Sequence, residues 1–174
     1  MKFVVPAKAG IQRKRRIWVH AFAGMTMMLV ASPAPAQEKK PPYWASIASG
    51  QAMTRTGPAK TYPGVWLYQR RDLPVRVVKR HESWRLIQDP DGAEGWMLVT
   101  LLSDRRTGVV KAGVPRPVHT RAEAGSPVRY RAQAGVVGRI DKCRSGWCRI
   151  SIGKRSGHIR TGDIWGVAPD EAVN

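Results

Sequence analysis

The chain has 174 residues and is strongly basic, with 30 Lys+Arg against 12 Asp+Glu and a formal net charge of +18. Six basic residues (Lys2, Lys8, Arg13, Lys14, Arg15, Arg16) fall within the first 36 positions, which leaves 24 basic and 12 acidic groups in the remainder. Two cysteines cannot build a four-cysteine metal centre, and composition by itself points only to nucleic acid or an anionic surface as partner.

Residues 1–36 read as an export leader. Arg13-Lys14-Arg15-Arg16 supplies the basic region, Ile17 to Ala31 is mainly apolar, and Ala34-Pro35-Ala36 carries the small-x-small cleavage pattern. Cleavage is expected after Ala36, and a retained amphipathic anchor is the competing reading. No cysteine stands just after the cleavage point, where Gln37 is found, which argues against a lipoprotein. Residues 37–44 open with Gln-Glu-Lys-Lys-Pro-Pro, a polar spacer with little that packs.

After Pro42 no window sustains helical periodicity. Leu73 to Val78 is β-branched and near-alternating, and Trp84-Arg85-Leu86-Ile87 continues the pattern. Asp89-Pro90-Asp91-Gly92 then turns the chain into Gly95-Trp96-Met97. The same rhythm returns as Val136 to Ile140, Trp147 to Ile152 and Gly157 to Ile159, with turns at Arg144-Ser145-Gly146 and Gly153-Lys154-Arg155. Trp84 and Trp147 stand 63 positions apart, Gly95 and Gly157 stand 62 apart, and Leu102 and Trp165 again 63. A fixed offset between aromatic and glycine anchors marks a duplicated structural unit. The expected fold is all-β: two small, partly open β-barrels over 45–103 and 109–168, with 169–174 as a polar tail. Only Ser103 to Gly108 joins the units, and so short a connection implies barrels that pack together.

Cys143 and Cys148 bracket a turn and should lie on neighbouring strands of one hairpin. In an exported protein such a pair is most naturally a disulfide, worth roughly 2–3 kcal/mol for so small a loop. A zinc site would need His119 and His158 as further ligands, and a redox pair normally reads C-x-x-C. Arg76, Arg85, Arg129, Arg131, Arg139 and Arg149 occupy alternate strand positions expected to face water. His119 is expected at the surface, His81 in a turn, and His158 packed in the slot that Trp96 holds in the first unit. Asp89, Asp91 and Glu94 belong to a turn, where they serve the backbone. No His-x-x-x-His, Gly-x-Ser-x-Gly or Gly-rich phosphate loop is present, so no catalytic residue, metal or cofactor is expected.

The aromatic residues carry the candidate site. Tyr62, Trp66 and Tyr68 follow the Thr56-Gly57-Pro58 turn and could pave a groove for sugars or an extended peptide. Core packing is the alternative for Trp66 and Tyr68. Trp84, Trp96, Trp147 and Trp165 are expected in the core or between the units.

Thr54-Arg55-Thr56-Gly57-Pro58 followed by Tyr62-Pro63, then Trp84-Arg85-Leu86-Ile87, Asp91-Gly92 and Gly95-Trp96, resembles the bacterial SH3-like domain. The second unit shares the likeness through Cys143, Trp147-Cys148-Arg149-Ile150, Gly157 and Ile164-Trp165-Gly166-Val167. It covers nearly all of Ala45 to Val167, and the chain looks like an exported tandem SH3-like protein. The resemblance implies a non-catalytic periplasmic module whose partner is peptidoglycan or another cell-envelope component. Its alternative is a structural or adaptor protein binding an envelope protein with no glycan affinity. A basic surface would add attraction to anionic polymers, and no specific nucleic acid is implied.

Overall fold

The computed structural model describes residues 39–174, so the expected leader and its cleavage after Ala36 lie outside the described residues. The first unit comprises β1 (Tyr43–Ile47), β2 (Ala52–Arg55), β3 (Gly64–Tyr68), β4 (Pro74–His81), β5 (Trp84–Gln88), β6 (Glu94–Leu98) and β7 (Leu102–Ser103). The second comprises β8 (Thr107–Val110), β9 (Arg116–His119), β10 (Val128–Ala132), β11 (Val137–Arg144), β12 (Trp147–Ile152), β13 (Arg155–Arg160) and β14 (Ile164–Trp165). A single 3₁₀ turn precedes the last strand of each, at Val99–Leu101 and Thr161–Asp163. The strand orders are β3-β2-β6-β5-β4-β1-β7 and β10-β9-β13-β12-β11-β8-β14, so every strand of the first sheet has its counterpart at the same place in the second.

The duplication extends to single residue pairs. His81↔Trp84, Lys79↔Leu86 and Trp84↔Leu98 recur as Arg144↔Trp147, Lys142↔Arg149 and Trp147↔Arg160. The glycines spaced 62 apart acquire a physical reason here. A Cβ on Gly95 would stand 2.6 Å from Thr54 Cβ, and one on Gly157 would stand 2.6 Å from Val118 Cγ1. At these points β2 meets β6 through Arg55↔Trp96 alone, and β9 meets β13 through His158↔His119 alone. Each sheet folds over itself there, and only a residue without a side chain admits the crossing strand.

Each sheet encloses its own core. Ile47, Val75, Val77, Ile87 and Met97 fill the first, and Val110, Val118, Ile150, Ile159 and Ile164 fill the second, all buried to 1% exposure or less. Cys143 and Cys148 oppose each other directly on β11 and β12 and form the expected disulfide, their Cα atoms 4.1 Å apart. The equivalent pair in the first unit is Arg80↔Arg85.

Arg85 departs from its expected place in water. It is buried, donating from Nη1 to the carbonyls of Glu82 (2.7 Å) and Trp84 (2.9 Å) and from Nε to the Tyr43 hydroxyl (3.2 Å). Those acceptors compensate the loss of hydration that would otherwise forbid a buried guanidinium. Arg76, Arg129, Arg131, Arg139 and Arg149 are exposed. His119 also departs from expectation. It is buried, enclosed by the Ser126 turn and the Trp147 ring. Its Nδ1 donates to the Ser126 carbonyl at 2.7 Å, and its ring meets Trp147 edge-on at 5.3 Å. His158 is half-buried across from Arg149.

Residues 169–174, read above as a tail, run against the second sheet. Cys143 and Val173 exchange two backbone hydrogen bonds of 2.9 and 3.1 Å, and Glu171 pairs with Arg106. Between β7 and β8 only Asp104, Arg105 and Arg106 intervene. The two sheets are in contact. Trp44 and Trp165 pack edge-to-face at 4.7 Å and Arg70 donates to the Gly135 carbonyl at 2.7 Å, while Arg105 of the connection pairs with Asp72 of the first unit at 3.1 Å.

Candidate ligand-binding edge

β3 is the terminal strand of the first sheet, hydrogen-bonded only to β2. Its register places Met53 opposite Leu67 and Thr54 opposite Trp66, with Val65 the extra residue of a bulge before Arg55↔Gly64. A bulge turns a strand and changes the direction of neighbouring side chains. The outcome is a strand without a buried face. Val65, Trp66 and Leu67 are all exposed, Trp66 most of all at 57%. Met53 and Tyr62 extend the same apolar area. The main chain beneath is well anchored: Thr54 Oγ1 donates to the Trp66 carbonyl, and Arg55 Nη1 donates to the Tyr62 carbonyl at 2.7 Å. The Tyr62 ring lies against Gly57, where a Cβ would come within 2.6 Å of it.

Of the three candidate residues, Tyr62 and Trp66 share this exposed edge and Tyr68 does not. Tyr68 is half-buried against the first core, and its hydroxyl donates to Asp89 Oδ2 at 3.0 Å. Burial, and then the Asp89 carboxylate, hold its phenol proton well above the ordinary tyrosine range. Asp89 also accepts the backbone N–H of Asp91 and Ala93 on Oδ1 at 3.0 and 2.8 Å, as a turn aspartate should. Tyr68 thus fixes the Asp89–Ala93 turn and borders a groove of about 680 Å³ between the sheets, with Arg70, Lys111 and Trp165.

Sequence patterns did not single out Met53, Val65 and Leu67. The signal that could have found them is the comparison of the two units at β3 and β10. Thr54↔Trp66 and Val118↔Tyr130 are equivalent pairs, offset by 64 residues. On that alignment Val65, Trp66 and Leu67 of β3 become Arg129, Tyr130 and Arg131 of β10, and Met53 becomes Pro117. Charged side chains on an edge strand repel a further strand or an apolar partner. One edge is guarded and the other is left apolar. Of the tryptophans expected in the core or between the units, Trp165 packs between the sheets. Trp84, though buried, and the half-buried Trp96 and Trp147 lie on the faces turned away from the two cores, because strand alternation sets them opposite the core residues. No cluster of three or more His, Cys, Asp or Glu occurs among the described residues.

The family model described as bacterial SH3 domain matches residues 48–104 and again 111–166. Among solved structures, NlpC2 from Trichomonas vaginalis is similar at 9% identity and a TM-score of 0.31, over 74% of this chain and 49% of that one. NlpC1 from the same organism gives 9% identity and a TM-score of 0.30, over 75% and 48%. The chain spans about half the length of these two structures, and no curated protein matches it. With the motif over both halves and a strand order repeated in full, the chain belongs to the bacterial SH3 domain family and carries the domain twice in tandem.

Proposed function

We propose that this protein is a non-catalytic, exported binding module of the cell envelope that engages peptidoglycan through the β3 edge of its first domain. The observation that carries the reading is the exposed Tyr62–Trp66 surface, apolar where the second domain places Arg129 and Arg131. Exposed aromatic rings on a rigid strand suit the apolar faces of sugar rings and of short peptides. An even, paired set of cysteines is compatible with an oxidising compartment, and it leaves no free thiol nucleophile.

The test is retention of the full chain on purified peptidoglycan at low and high salt, beside Trp66→Ala. A central aromatic contact is typically worth about 2 kcal/mol or more, so the variant should bind roughly thirtyfold more weakly at either salt. Retention abolished by salt alone, or unchanged in the variant, would refute the reading. The free main-chain edge of β3 favours a second reading, in which an envelope protein with no glycan affinity adds a strand there. That reading predicts no retention on peptidoglycan and capture of an extended peptide that Trp66→Ala weakens.

A further inference from the structure

The outer face of β11, β12 and β13 carries two cross-strand rows, Lys142–Arg149–His158 and Arg144–Trp147–Arg160. Strand alternation puts all six side chains on the side opposite the buried Cys143, Cys148, Ile150 and Ile159. The same positions of the first domain hold Lys79, Leu86 and Trp96, and His81, Trp84 and Leu98. Two leucines there have become arginines in the second domain, and a tryptophan has become a histidine. Like charges directly opposed across strands, as Lys142 and Arg149 are, weaken a sheet.

Elsewhere in the domain four arginines have carboxylate partners, Arg106 with Glu171, Arg116 with Asp163, Arg121 with Glu123 and Arg139 with Asp141. Arg129 instead donates to the Ser156 carbonyl, Arg155 lies over the Tyr130 ring, and Arg131 has no carboxylate partner among the described residues. Among the described residues none of Lys142, Arg144, Arg149 and Arg160 has one. The four exposed cations surround a half-buried Trp147, over whose ring Arg160 lies at 5.1 Å. Lys142, Arg144, Trp147, Arg149 and His158 line a shallow concavity of about 270 Å³. The disulfide and the His119–Trp147 contact stiffen the strands beneath it.

We propose that this face is a phosphate-binding site, independent of the β3 edge and on the other domain. Guanidinium forks match the paired oxygens of a phosphate, and several converging cations repay their mutual repulsion only when an anion sits among them. The phosphate could be that of a lipid headgroup, where an indole is at home beside charged groups, or of a soluble phosphate ester. Nucleic acid is the poorer fit. A single tryptophan offers no succession of stacking platforms for bases, and a disulfide belongs to a compartment where nucleic acid is not the prevailing polyanion.

The experiment compares three full-length proteins: the native chain, R144Q/R149Q/R160Q, and the charge-matched control K79Q/R131Q/K154Q. All three contain the same basic leader. Binding to phosphatidylglycerol–phosphatidylcholine vesicles is measured by co-sedimentation, with glycerol phosphate as soluble competitor and a short DNA duplex as a third ligand. Loss of three surface cations from a real site should weaken vesicle binding about a hundredfold, and the control by only a few-fold. Glycerol phosphate competing with the native chain would assign the site to a soluble ester, and vesicle binding without competition would assign it to a headgroup. Either result supports the proposal. Equal weakening in both variants would mean diffuse attraction by net charge and would overturn it. So would a native chain that binds the duplex but neither phosphate source.

Discussion

Gly166 gives the most direct test of how the two domains are seated. It follows β14, has φ of 115°, and lies against the first strand of its own domain and the start of β4 in the other. A Cβ there would stand 2.4 Å from the Thr107 carbonyl oxygen, 3.0 Å from Pro74 Cβ and 3.2 Å from Gly108 Cα. The first and third neighbours are backbone of β8 and cannot swing aside. Holding a non-glycine residue at such a φ costs about 1–3 kcal/mol. Forcing a methyl group into a packed contact adds about 1–3 kcal/mol. Gly166→Ala should therefore destabilise by about 2–6 kcal/mol, a fall in Tm of roughly 5–25 °C for a body of this size.

The companion variant is Gly153→Ala, where φ is 57° and no atom stands within 4 Å of the new Cβ. That change should cost only about 1 kcal/mol. Urea and thermal unfolding followed by circular dichroism measure both. Near-ultraviolet dichroism should also change in Gly166→Ala, because the adjacent Trp165 packs on Trp44. Equal destabilisation by the two substitutions would refute the reasoning, since it would show that the contact with Thr107 and Pro74 does not exist in solution.

Other consequences are open to measurement. Burial acts to raise the Glu171 carboxyl, but hydrogen bonds and attraction from Arg106, with the Ala168 N–H, hold it below the ordinary glutamate range. A depressed folded pKa gives stability that is complete above the unfolded value and lost as pH falls through the folded one. Glu171→Gln should therefore lower stability by about 1–2 kcal/mol at neutral pH and flatten its decline in acid. A parallel acid profile would count against this. The Tyr68 phenol is shifted upward, so its contribution is complete below the unfolded tyrosine value and disappears as pH rises above it. Ultraviolet titration should show Tyr68 ionising only with alkaline unfolding, and Tyr68→Phe should lessen the alkaline loss of stability. Reducing the Cys143–Cys148 disulfide, which closes a separation of 5 residues, should cost about 2 kcal/mol in urea unfolding. A shift within error would mean that the hairpin constrains the unfolded chain unaided. Trp66→Ala should leave stability within about 0.5 kcal/mol of the native protein, because the side chain lies mostly in water.

Local and periodic features were legible in the amino-acid order. Short strands, the Asp89–Gly92 turn and the pairing of Cys143 with Cys148 depend on residues close in the chain. The duplication depends only on offsets between Trp84 and Trp147 and between Gly95 and Gly157. The residues that carry chemistry were harder to place, because strand alternation says which side a residue takes and not what covers that side. Arg85 and Arg149 occupy neighbouring places in equivalent strands, yet one is enclosed by the carbonyls of Glu82 and Trp84 while the other is exposed. His119 reads as a surface residue until the Ser126 carbonyl and the Trp147 ring, 7 and 28 positions away, come to lie against it. Tyr68 and Trp66 stand two positions apart, but a long-range bond to Asp89 binds one to the turn and leaves the other at the edge. Which strand ends each sheet, and so which side chains face water, emerges only when all seven strands have paired. Burial is a property of that assembly, because each strand is covered by partners distant in sequence.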